Sequence, residues 1–225
     1  MRVVVTGGTR GIGAAVAARF TAAGHDVVAP GRADCDVTDE AAVTAFFDAL
    51  GPVDVLVNNA GVATSAALAK TTLDEWRSSM DVNALGPFLC TRAALPGMRE
   101  RDFGRIVTIA STAGLRGARY TAAYSAAKHA AVGLMRAVAA EVAGTGVTCN
   151  AVCPTFVRTD MTAESVRRIA GMTGRSEAEA ERSIAGLSPL GRLLDPDEVA
   201  DAVVFLVGAP AVNGQALVLD GGGIA

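Results

Sequence analysis

The chain has 225 residues and a net charge of -3, a length that suits one domain with a sizeable core. Basic and acidic residues are mixed along it, so no basic field is offered to a nucleic acid. No uncharged apolar run approaches the ~20 residues of a membrane-spanning helix, and the start MRVVVTGG has no signal-peptide pattern. We therefore expect a cytoplasmic protein that binds neither nucleic acid nor a membrane.

Short β-branched runs alternate with alanine-rich stretches from one end of the chain to the other. The runs occupy 3–6, 26–30, 53–57, 105–110, 146–152 and 216–220. Because they are apolar on both faces, they favour a parallel sheet covered by helices on each side. The sequence predicts one domain over 1–225, a doubly wound α/β fold with a Rossmann-type parallel sheet.

Helix starts are marked between these runs. Thr72 with Glu75 and Ser176 with Glu179 have capping-box spacing, and Asp195 precedes a proline at a first helical position. The stretch 30–39 leaves no room for a helix after the second run. Either a short third strand occupies about 34–37 or the chain crosses there as a loop, and we favour the strand.

The cysteines and histidines give no metal-binding spacing. They are Cys35, Cys90, Cys149, Cys153, His25 and His129, with no CxxC pair among them. Cys149 and Cys153 lie in a predicted strand, where four residues span about 13 Å, too far for a disulfide. We expect reduced core thiols and no metal site.

A glycine-rich turn, TGGTRGIG (6–13), joins the first strand to the first helix. Glycines let the backbone approach a ligand, and the helix start behind them offers free N–H groups to a pyrophosphate. Such a turn also occurs simply to pack a helix on a sheet, but its place after the first strand favours a dinucleotide. The candidate contacts are Gly7, Thr9, Arg10, Gly11, Ile12 and Gly13.

The end of the second strand distinguishes two nicotinamide cofactors. A carboxylate there holds the ribose 2′-OH of NAD, whereas an arginine accommodates a 2′-phosphate. The sequence offers Gly31 and Arg32 and no acid until Asp34, and Arg10 supplies a second cation. Two solvated surface arginines are the alternative; their convergence at one corner favours NADP(H).

The stretch YSAAK (124–128) places a tyrosine four residues before a lysine. On a helix the two side chains are neighbours, and a positive charge lowers the pKa of a phenol toward working pH, as general acid–base chemistry requires. Alone, such a pair is most often a lysine stem packed beside an amphipathic tyrosine. Ser111, at the carboxyl end of the fourth predicted strand, adds a hydroxyl where open α/β sheets bind ligands.

Two further features belong to this group. VNNAG (57–61) ends another predicted strand, with Gly61 free to approach a ribose. Asn83 lies in a predicted helix, where asparagine is a poor helix former unless it has a local role. A polar residue at a packing contact is the alternative for Asn83.

Taken together, these motifs resemble the short-chain dehydrogenase/reductase family over the whole chain. TGGTRGIG is similar to the TGxxxGxG turn of the family and VNNAG to its NNAG, while GQALVLDGG (214–222) resembles its last strand. The resemblance implies a catalytic set of Asn83, Ser111, Tyr124 and Lys128. It also implies cofactor contacts at Asp36, Val37, Asn58, Ala60, Gly61, Tyr124, Lys128, Pro154 and Thr159.

The resemblance also implies a mechanism. Tyr124 would protonate a carbonyl oxygen, Lys128 would hold the ribose and lower the tyrosine pKa, and Ser111 would steady the carbonyl. Asn83 would anchor a water in a proton relay. The family is usually a homo-oligomer, a tetramer or a dimer, which we expect here.

Three segments depart from the family pattern. The region before Asp36 is short, Thr155 stands where glycine is usual, and 207–215 is trimmed. Amphipathic spacing predicts two helices at about 160–190, through Val166, Ile169 and Ala170 and then Ala180, Ile184 and Leu187. They would form a substrate lid, or surface structure without a role in selection.

Within the family, three segments (89–112, 124–137 and 150–161) most resemble 3-oxoacyl-thioester reductases and polyketide ketoreductases. This implies NADP(H)-dependent reduction of a ketone or of an acyl thioester, either free or linked to a carrier protein. Four arginines would then meet the carrier or a CoA phosphate, or form a solvated face: Arg99, Arg101, Arg116 and Arg119. The alternatives are an alcohol dehydrogenase oxidising a hydroxysteroid or 3-hydroxy acid, and a non-catalytic NADP(H) sensor.

Overall fold

One six-stranded parallel sheet organises the chain, in the computed structural model that describes residues 1–224. The strand order is β2-β1-β3-β4-β5-β6. The strands are β1 (Arg2–Val5), β2 (Asp26–Val28), β3 (Val55–Asn58), β4 (Gly104–Ile109), β5 (Val147–Pro154) and β6 (Ala216–Leu219). All six predicted strands and the doubly wound parallel arrangement are confirmed.

Eight α-helices are found within residues 1–224. They are α1 (Gly11–Ala22), α2 (Glu40–Leu50), α3 (Leu73–Met80), α4 (Gly86–Glu100), α5 (Ala122–Glu141), α6 (Asp160–Thr173), α7 (Glu177–Ala185) and α8 (Pro196–Val207). A π-helical segment (Asp81–Leu85) joins α3 to α4. The capping boxes predicted for α3 and α7 are present, and Glu198 accepts a hydrogen bond from the Asp195 N–H at the start of α8.

The core lies on both faces of the sheet because successive strand residues point to opposite sides. Val4 packs with α2, α4 and α5 on one face, whereas Val3 and Val5 pack with α1 and α8 on the other. The four cysteines are buried and unpaired. Within residues 1–224 no helix has the length and hydropathy to cross a membrane, and no three potential metal ligands gather.

The predicted third strand at about 34–37 is wrong. Residues 31–39 form turns instead: the N–H groups of Asp34 and Cys35 both donate to the Gly31 carbonyl, and the Asp39 N–H donates to the Asp36 carbonyl. Because these groups are satisfied locally, the segment offers no strand edge, and the sheet ends at β2.

Two asparagines hold the trimmed segment before β6. Asn150, fully buried in β5, donates to the Val212 carbonyl and accepts from the Gln215 N–H. Asn213 accepts from the Cys149 N–H and donates to the Ala139 carbonyl. These side chains supply hydrogen bonds to the backbone beside β5, so a short connection between α8 and β6 is sufficient.

The helices α6 and α7 form a separate small packing unit. Val166, Ala180, Ile184 and Leu193 are buried together, with Ile169 and Ala170 against them. The amphipathic helices predicted at 160–190 are therefore confirmed. Leu187 was assigned to the apolar face, but it is 65% exposed because α7 ends at Ala185 and the chain turns there.

A buried arginine closes the amino end of the sheet. Arg105 is 8% exposed and donates to the carbonyls of Val207, Gly104 and Gly146, with its guanidinium 4.8 Å from the Phe103 ring centroid. Burial lowers the pKa of Arg105. The three carbonyls belong to the end of α8 and the starts of β4 and β5, so one side chain ties these elements together.

Replacing this side chain tests its structural role. We expect Arg105→Met to lower the free energy of unfolding by about 2–4 kcal/mol, because buried carbonyls lose charged donors. Arg19→Met, which removes an exposed pair with Asp201 at 3.1 Å, should cost less than about 1 kcal/mol. Urea unfolding of both variants measures the difference, and equal losses would contradict the assignment.

Candidate active site

The carboxyl ends of three neighbouring strands bring the candidate residues to one edge of the sheet. β3, β4 and β5 are adjacent and parallel. Gly61 follows β3, Ser111 follows β4, and Pro154 is the last residue of β5. This is the edge at which open parallel sheets bind ligands.

Lys128 reaches this edge from α5 as a buried ammonium. It is 5% exposed, and its Nζ donates to the Ile109 carbonyl at 2.8 Å, at the end of β4. Burial lowers the pKa of Lys128 to about 8. It makes no salt bridge with any residue of 1–224. The Ile109 carbonyl therefore accepts one hydrogen bond from the ammonium, and its remaining N–H groups can donate to a ligand.

Tyr124 lies beside this ammonium, one helical turn earlier. The Lys128 Nζ is 5.7 Å from the centroid of the tyrosine ring. Burial raises the pKa of the Tyr124 phenol, and its hydrogen bond with Ser111 acts in the opposite direction with a smaller effect. The net shift of this pKa is therefore upward, opposite to the direction predicted from the Lys128 charge, because burial has the larger effect. The phenol is neutral at physiological pH and has a proton to donate.

Ser111 caps the short 3-10 turn that follows β4. Its Oγ accepts a hydrogen bond from the Ala113 N–H at 3.1 Å, which fixes the turn after β4. Cys153, next to Pro154 on β5, is fully buried nearby. Burial raises the pKa of its thiol to about 11, although the Ser111 backbone N–H and the Lys128 charge both act to lower it. The thiol is therefore neutral and leaves Lys128 the one charged group of the set.

Asn83 is the middle residue of the π-helical segment. It is 1% exposed, and its Oδ1 accepts from the Val62 N–H at 3.2 Å while its Nδ2 donates to the carbonyls of Val62 and Ser79, each at 3.0 Å. A Cβ added at Gly61 would lie 3.1 Å from Asn83 Oδ1 and 3.8 Å from Lys128 Nζ. Asn83, Gly61 and Lys128 are thus close together, and π-helical insertions are frequent at functional sites.

The glycine turn stands against the residues that follow β3. Gly7 has a φ of +62°, and a Cβ there would lie 3.0 Å from the Ala60 Cα. The Asn59 Nδ2 donates to the carbonyls of Thr6 and Gly7, and a Cβ at Gly13 would lie 2.4 Å from it. The turn is therefore built around the Asn59 side chain.

Other predicted contacts in the turn remain accessible. Thr9 and Arg10 are exposed, and Gly11 and Ile12 are partly exposed. The methyl group of Thr159, the N-cap of α6, lies 3.2 Å from the position of a Cβ at Gly11. The predicted turn and nicotinamide residues are thus brought together.

At the end of β2 the structure differs from the predicted corner. Arg10 pairs with Asp160 at 3.7 Å, and Arg32, 86% exposed, pairs with Asp36 at 3.0 Å. The two arginines therefore do not converge. The Asp34 Oδ2 instead accepts from the Gly31 N–H at 2.8 Å, and a Cβ at Gly31 would lie 3.2 Å from Thr9 Cγ2. A carboxylate occupies this corner.

The pair Asp36-Val37 is held in the turns that replace a third strand. The hydrogen bonds from the Thr38 N–H and hydroxyl, and then Arg32, lower the pKa of Asp36. Val37 is 7% exposed and contacts Gly86, where a Cβ would lie 2.8 Å from its Cγ2. Both residues are held by contacts within the protein.

One predicted contact points away from the cleft. The Asn58 side chain is 3% exposed and its Nδ2 donates to Thr91 Oγ1 of α4 at 3.0 Å. It therefore joins β3 to α4. Sequence reasoning overlooked its neighbour Asn59, and also Thr6, whose hydroxyl accepts from the N–H groups of Asn59 and Ala60.

The threonine that replaces the usual glycine fits the backbone. The Thr155 N–H donates to the Leu219 carbonyl at 2.9 Å, continuing the β5–β6 pairing. Its φ is not positive, since among the non-glycine residues of 1–224 only Asp102 and Tyr120 have positive φ. A side chain at this position therefore costs no backbone strain.

Comparisons with known proteins agree over nearly the full chain. The family described as enoyl-(acyl carrier protein) reductase matches residues 7–223. An acetoacetyl-CoA reductase of Shinella zoogloeoides is 39% identical, over 97% of this chain and 96% of the relative. A 3-oxoacyl-[acyl-carrier-protein] reductase of Mycobacterium bovis is 35% identical, over 98% of this chain and 91% of the relative.

Solved structures give the same result. A variant of actinorhodin polyketide ketoreductase, solved with NADPH, superposes with a TM-score of 0.93 at 36% identity, over 100% of this chain and 97% of that chain. The similarity runs from the glycine turn to the last strand. The chain therefore belongs to the short-chain dehydrogenase/reductase family of oxidoreductases.

Proposed function

We propose that this protein reduces a ketone to a secondary alcohol with NADPH, and that the ketone is a 3-oxoacyl thioester or a polyketide-like carbonyl. The observation that carries the proposal is the position of Tyr124: its ring centroid lies 5.7 Å from the Nζ of the buried Lys128, at the edge where Ser111 follows β4. The names of the relatives, an acetoacetyl-CoA reductase and a 3-oxoacyl reductase, support the substrate class.

The residues at the cleft fit a nicotinamide dinucleotide. The glycine turn exposes backbone N–H groups at the start of α1, and Gly7 and Gly61 stand where a side chain would fill the space beside Ala60 and Asn83. Gly7, Gly11 and Gly13 would hold the diphosphate, and Lys128 would hold the nicotinamide ribose. The bound cofactor supplies the hydride for the carbonyl carbon.

The chain's own residues would then orient the carbonyl and move the proton. Tyr124 donates its phenolic proton to the carbonyl oxygen, and Ser111 donates a hydrogen bond to the same oxygen. The Lys128 ammonium stabilises the phenolate that remains after the transfer. Asn83, fixed by Val62 and Ser79, would anchor the water that returns a proton. The unit of α6 and α7 would cover the substrate.

A second candidate is an NAD-dependent alcohol dehydrogenase that oxidises a 3-hydroxy acid or hydroxysteroid. The Asp34 carboxylate at Gly31 favours it, because a carboxylate at the end of the second strand binds the ribose 2′-OH of NAD and repels a 2′-phosphate. NADPH in the similar ketoreductase structure favours the first candidate. The third hypothesis, a non-catalytic NADP(H) sensor, does not explain why all four candidate catalytic residues are present.

Removing the tyrosine hydroxyl tests the proposed reaction. Initial rates of NADPH oxidation would be measured with acetoacetyl-CoA and with a bicyclic ketone. We expect Tyr124→Phe to lower kcat by about 10²–10⁴-fold, the range of general acid catalysis, while NADPH fluorescence titration shows retained cofactor binding. A Tyr124→Phe rate within threefold of the wild type would refute the role of this residue.

A change of charge at Asp34 tests the choice of cofactor. We expect Asp34→Asn, which keeps an acceptor for the Gly31 N–H, to raise the ratio of kcat/KM for NADPH over NADH about tenfold, since it removes a charge that repels a 2′-phosphate. Asp48→Asn, an exposed acid of α2, controls for net charge. An unchanged ratio in Asp34→Asn would exclude this carboxylate from the ribose site.

A further inference from the structure

The chain carries only two lysines, and they lie in opposite environments. Lys70 and Lys128 are the lysines among its 20 Lys and Arg residues. Lys70 ends the 3-10 turn Leu68–Lys70 and is exposed, whereas Lys128 is 5% exposed. All other positions of this group are arginines, whose guanidinium stays protonated in proteins. The chain therefore has one buried and one exposed side-chain amine, which can be compared directly.

Within residues 1–224 no carboxylate pairs with the buried amine. Lys128 makes no salt bridge there, and its Nζ donates to the backbone carbonyl of Ile109 at 2.8 Å. The titratable groups beside it are the Tyr124 phenol and the Cys153 thiol. Burial raises the pKa of both, so both are neutral. A desolvated lysine without a counterion is suited to act as a nucleophile.

Burial also leaves an unusual share of this amine uncharged. It lowers the pKa of Lys128 from 10.5 to about 8. At pH 7.5 roughly a quarter of such amines are free base, against about one in a thousand for a lysine of ordinary pKa. Only the free base has the lone pair that attacks a carbonyl carbon. Lys128 is therefore a competent nucleophile at a pH where an ordinary lysine is almost entirely protonated.

The amine lies beside a glycine at the cleft. Gly61 is partly exposed, and a Cβ built there would lie 3.8 Å from the Lys128 Nζ and 3.1 Å from Asn83 Oδ1. Because glycine has no side chain, nothing from this position covers the amine. The Tyr124 ring centroid is 5.7 Å from the same Nζ. A small molecule that enters at Gly61 therefore meets an amine with a proton donor close by.

We infer that Lys128 of the cofactor-free protein condenses reversibly with small aldehydes and is thus a site of covalent modification. The amine nitrogen attacks the carbonyl carbon to give a carbinolamine. This adduct then loses water, so that a C=N bond replaces the C=O bond and both amine hydrogens leave with the carbonyl oxygen. The Tyr124 phenol can protonate the departing hydroxyl and regain a proton from the nitrogen. The step consumes no oxidant, reductant or dinucleotide, so it goes beyond the proposed reduction.

Reductive trapping measures this reactivity at each lysine separately. Cofactor-free wild type would be treated at pH 7.5 with acetaldehyde and sodium cyanoborohydride, which reduces an imine to a stable ethylated amine. Peptide mass spectrometry after arginine-directed cleavage then gives the rate at Lys128 and at Lys70. We expect Lys128 to be ethylated about tenfold faster than Lys70 or more, because its larger share of free base outweighs its restricted access.

Unfolding and a conservative variant supply the controls. In urea concentrated enough to unfold the chain, the two lysines should react at rates within about twofold, because the difference comes from burial. Lys128→Arg should remove the fast site and leave the rate at Lys70 unchanged. A rate at Lys128 no higher than at Lys70 in the folded protein would overturn the modification site. So would a preference for Lys128 that persists undiminished in urea.

Added NADPH separates this inference from the proposed function. Because Lys128 is proposed to hold the nicotinamide ribose, saturating NADPH should slow its ethylation and leave the rate at Lys70 unchanged. Fast ethylation of Lys128 that NADPH does not slow would support the modification site and refute the proposed position of the cofactor.

Discussion

A charge buried against the end of β4 sets the geometry of the whole site. Lys128 extends from α5 and donates one hydrogen bond to the Ile109 carbonyl. This bond links α5 to β4, the strand that Ser111 follows. Small residues make the approach possible: a Cβ at Gly114 would lie 2.8 Å from the Lys128 carbonyl. Burying an ammonium without a carboxylate partner is unfavourable in the free protein. A charge fixed at this edge needs no rearrangement during a reaction, which offsets that cost in an oxidoreductase.

At the β2 end of the sheet the chain is shorter than the family pattern, yet the edge that carries the candidate site is retained. Without a third strand, β2 becomes the edge strand, and residues 31–39 fold into turns that bury Val37 and return the Asp34 carboxylate to Gly31. The edge formed by β3, β4 and β5, where we propose that the nicotinamide binds, is unaffected by this loss. The end of β2 is therefore where this protein departs from the family pattern, and where we propose that its cofactor preference is decided.

The sequence was sufficient for the fold and for the grouping of the candidate residues at one edge of the sheet, because both depend on local signals. Periodic apolar runs predict strands, and a helix places Tyr124 beside Lys128 wherever it packs. What it could not supply depends on tertiary contacts. Asn58 and Asn59 are the same residue type at adjacent positions, yet the Asn58 side chain binds α4 whereas the Asn59 side chain binds the glycine turn. The upward shift of the Tyr124 pKa comes from burial. The position of Asp34 comes from a turn, held by local hydrogen bonds, where the sequence predicted a strand.

The buried charge is tested most directly by the pH dependence of folding stability. Urea unfolding of the cofactor-free wild type and of Lys128→Met would be compared from about pH 7 upward. Burial lowers the pKa of Lys128 from 10.5 to about 8, so between these values the unfolded chain binds one more proton than the folded chain. The wild type should therefore gain on the order of 3 kcal/mol relative to the variant as the pH rises through this window. The lost bond to Ile109 shifts the variant equally at every pH. A difference that stays constant with pH would show that the ammonium is solvated, and would contradict this account of the site.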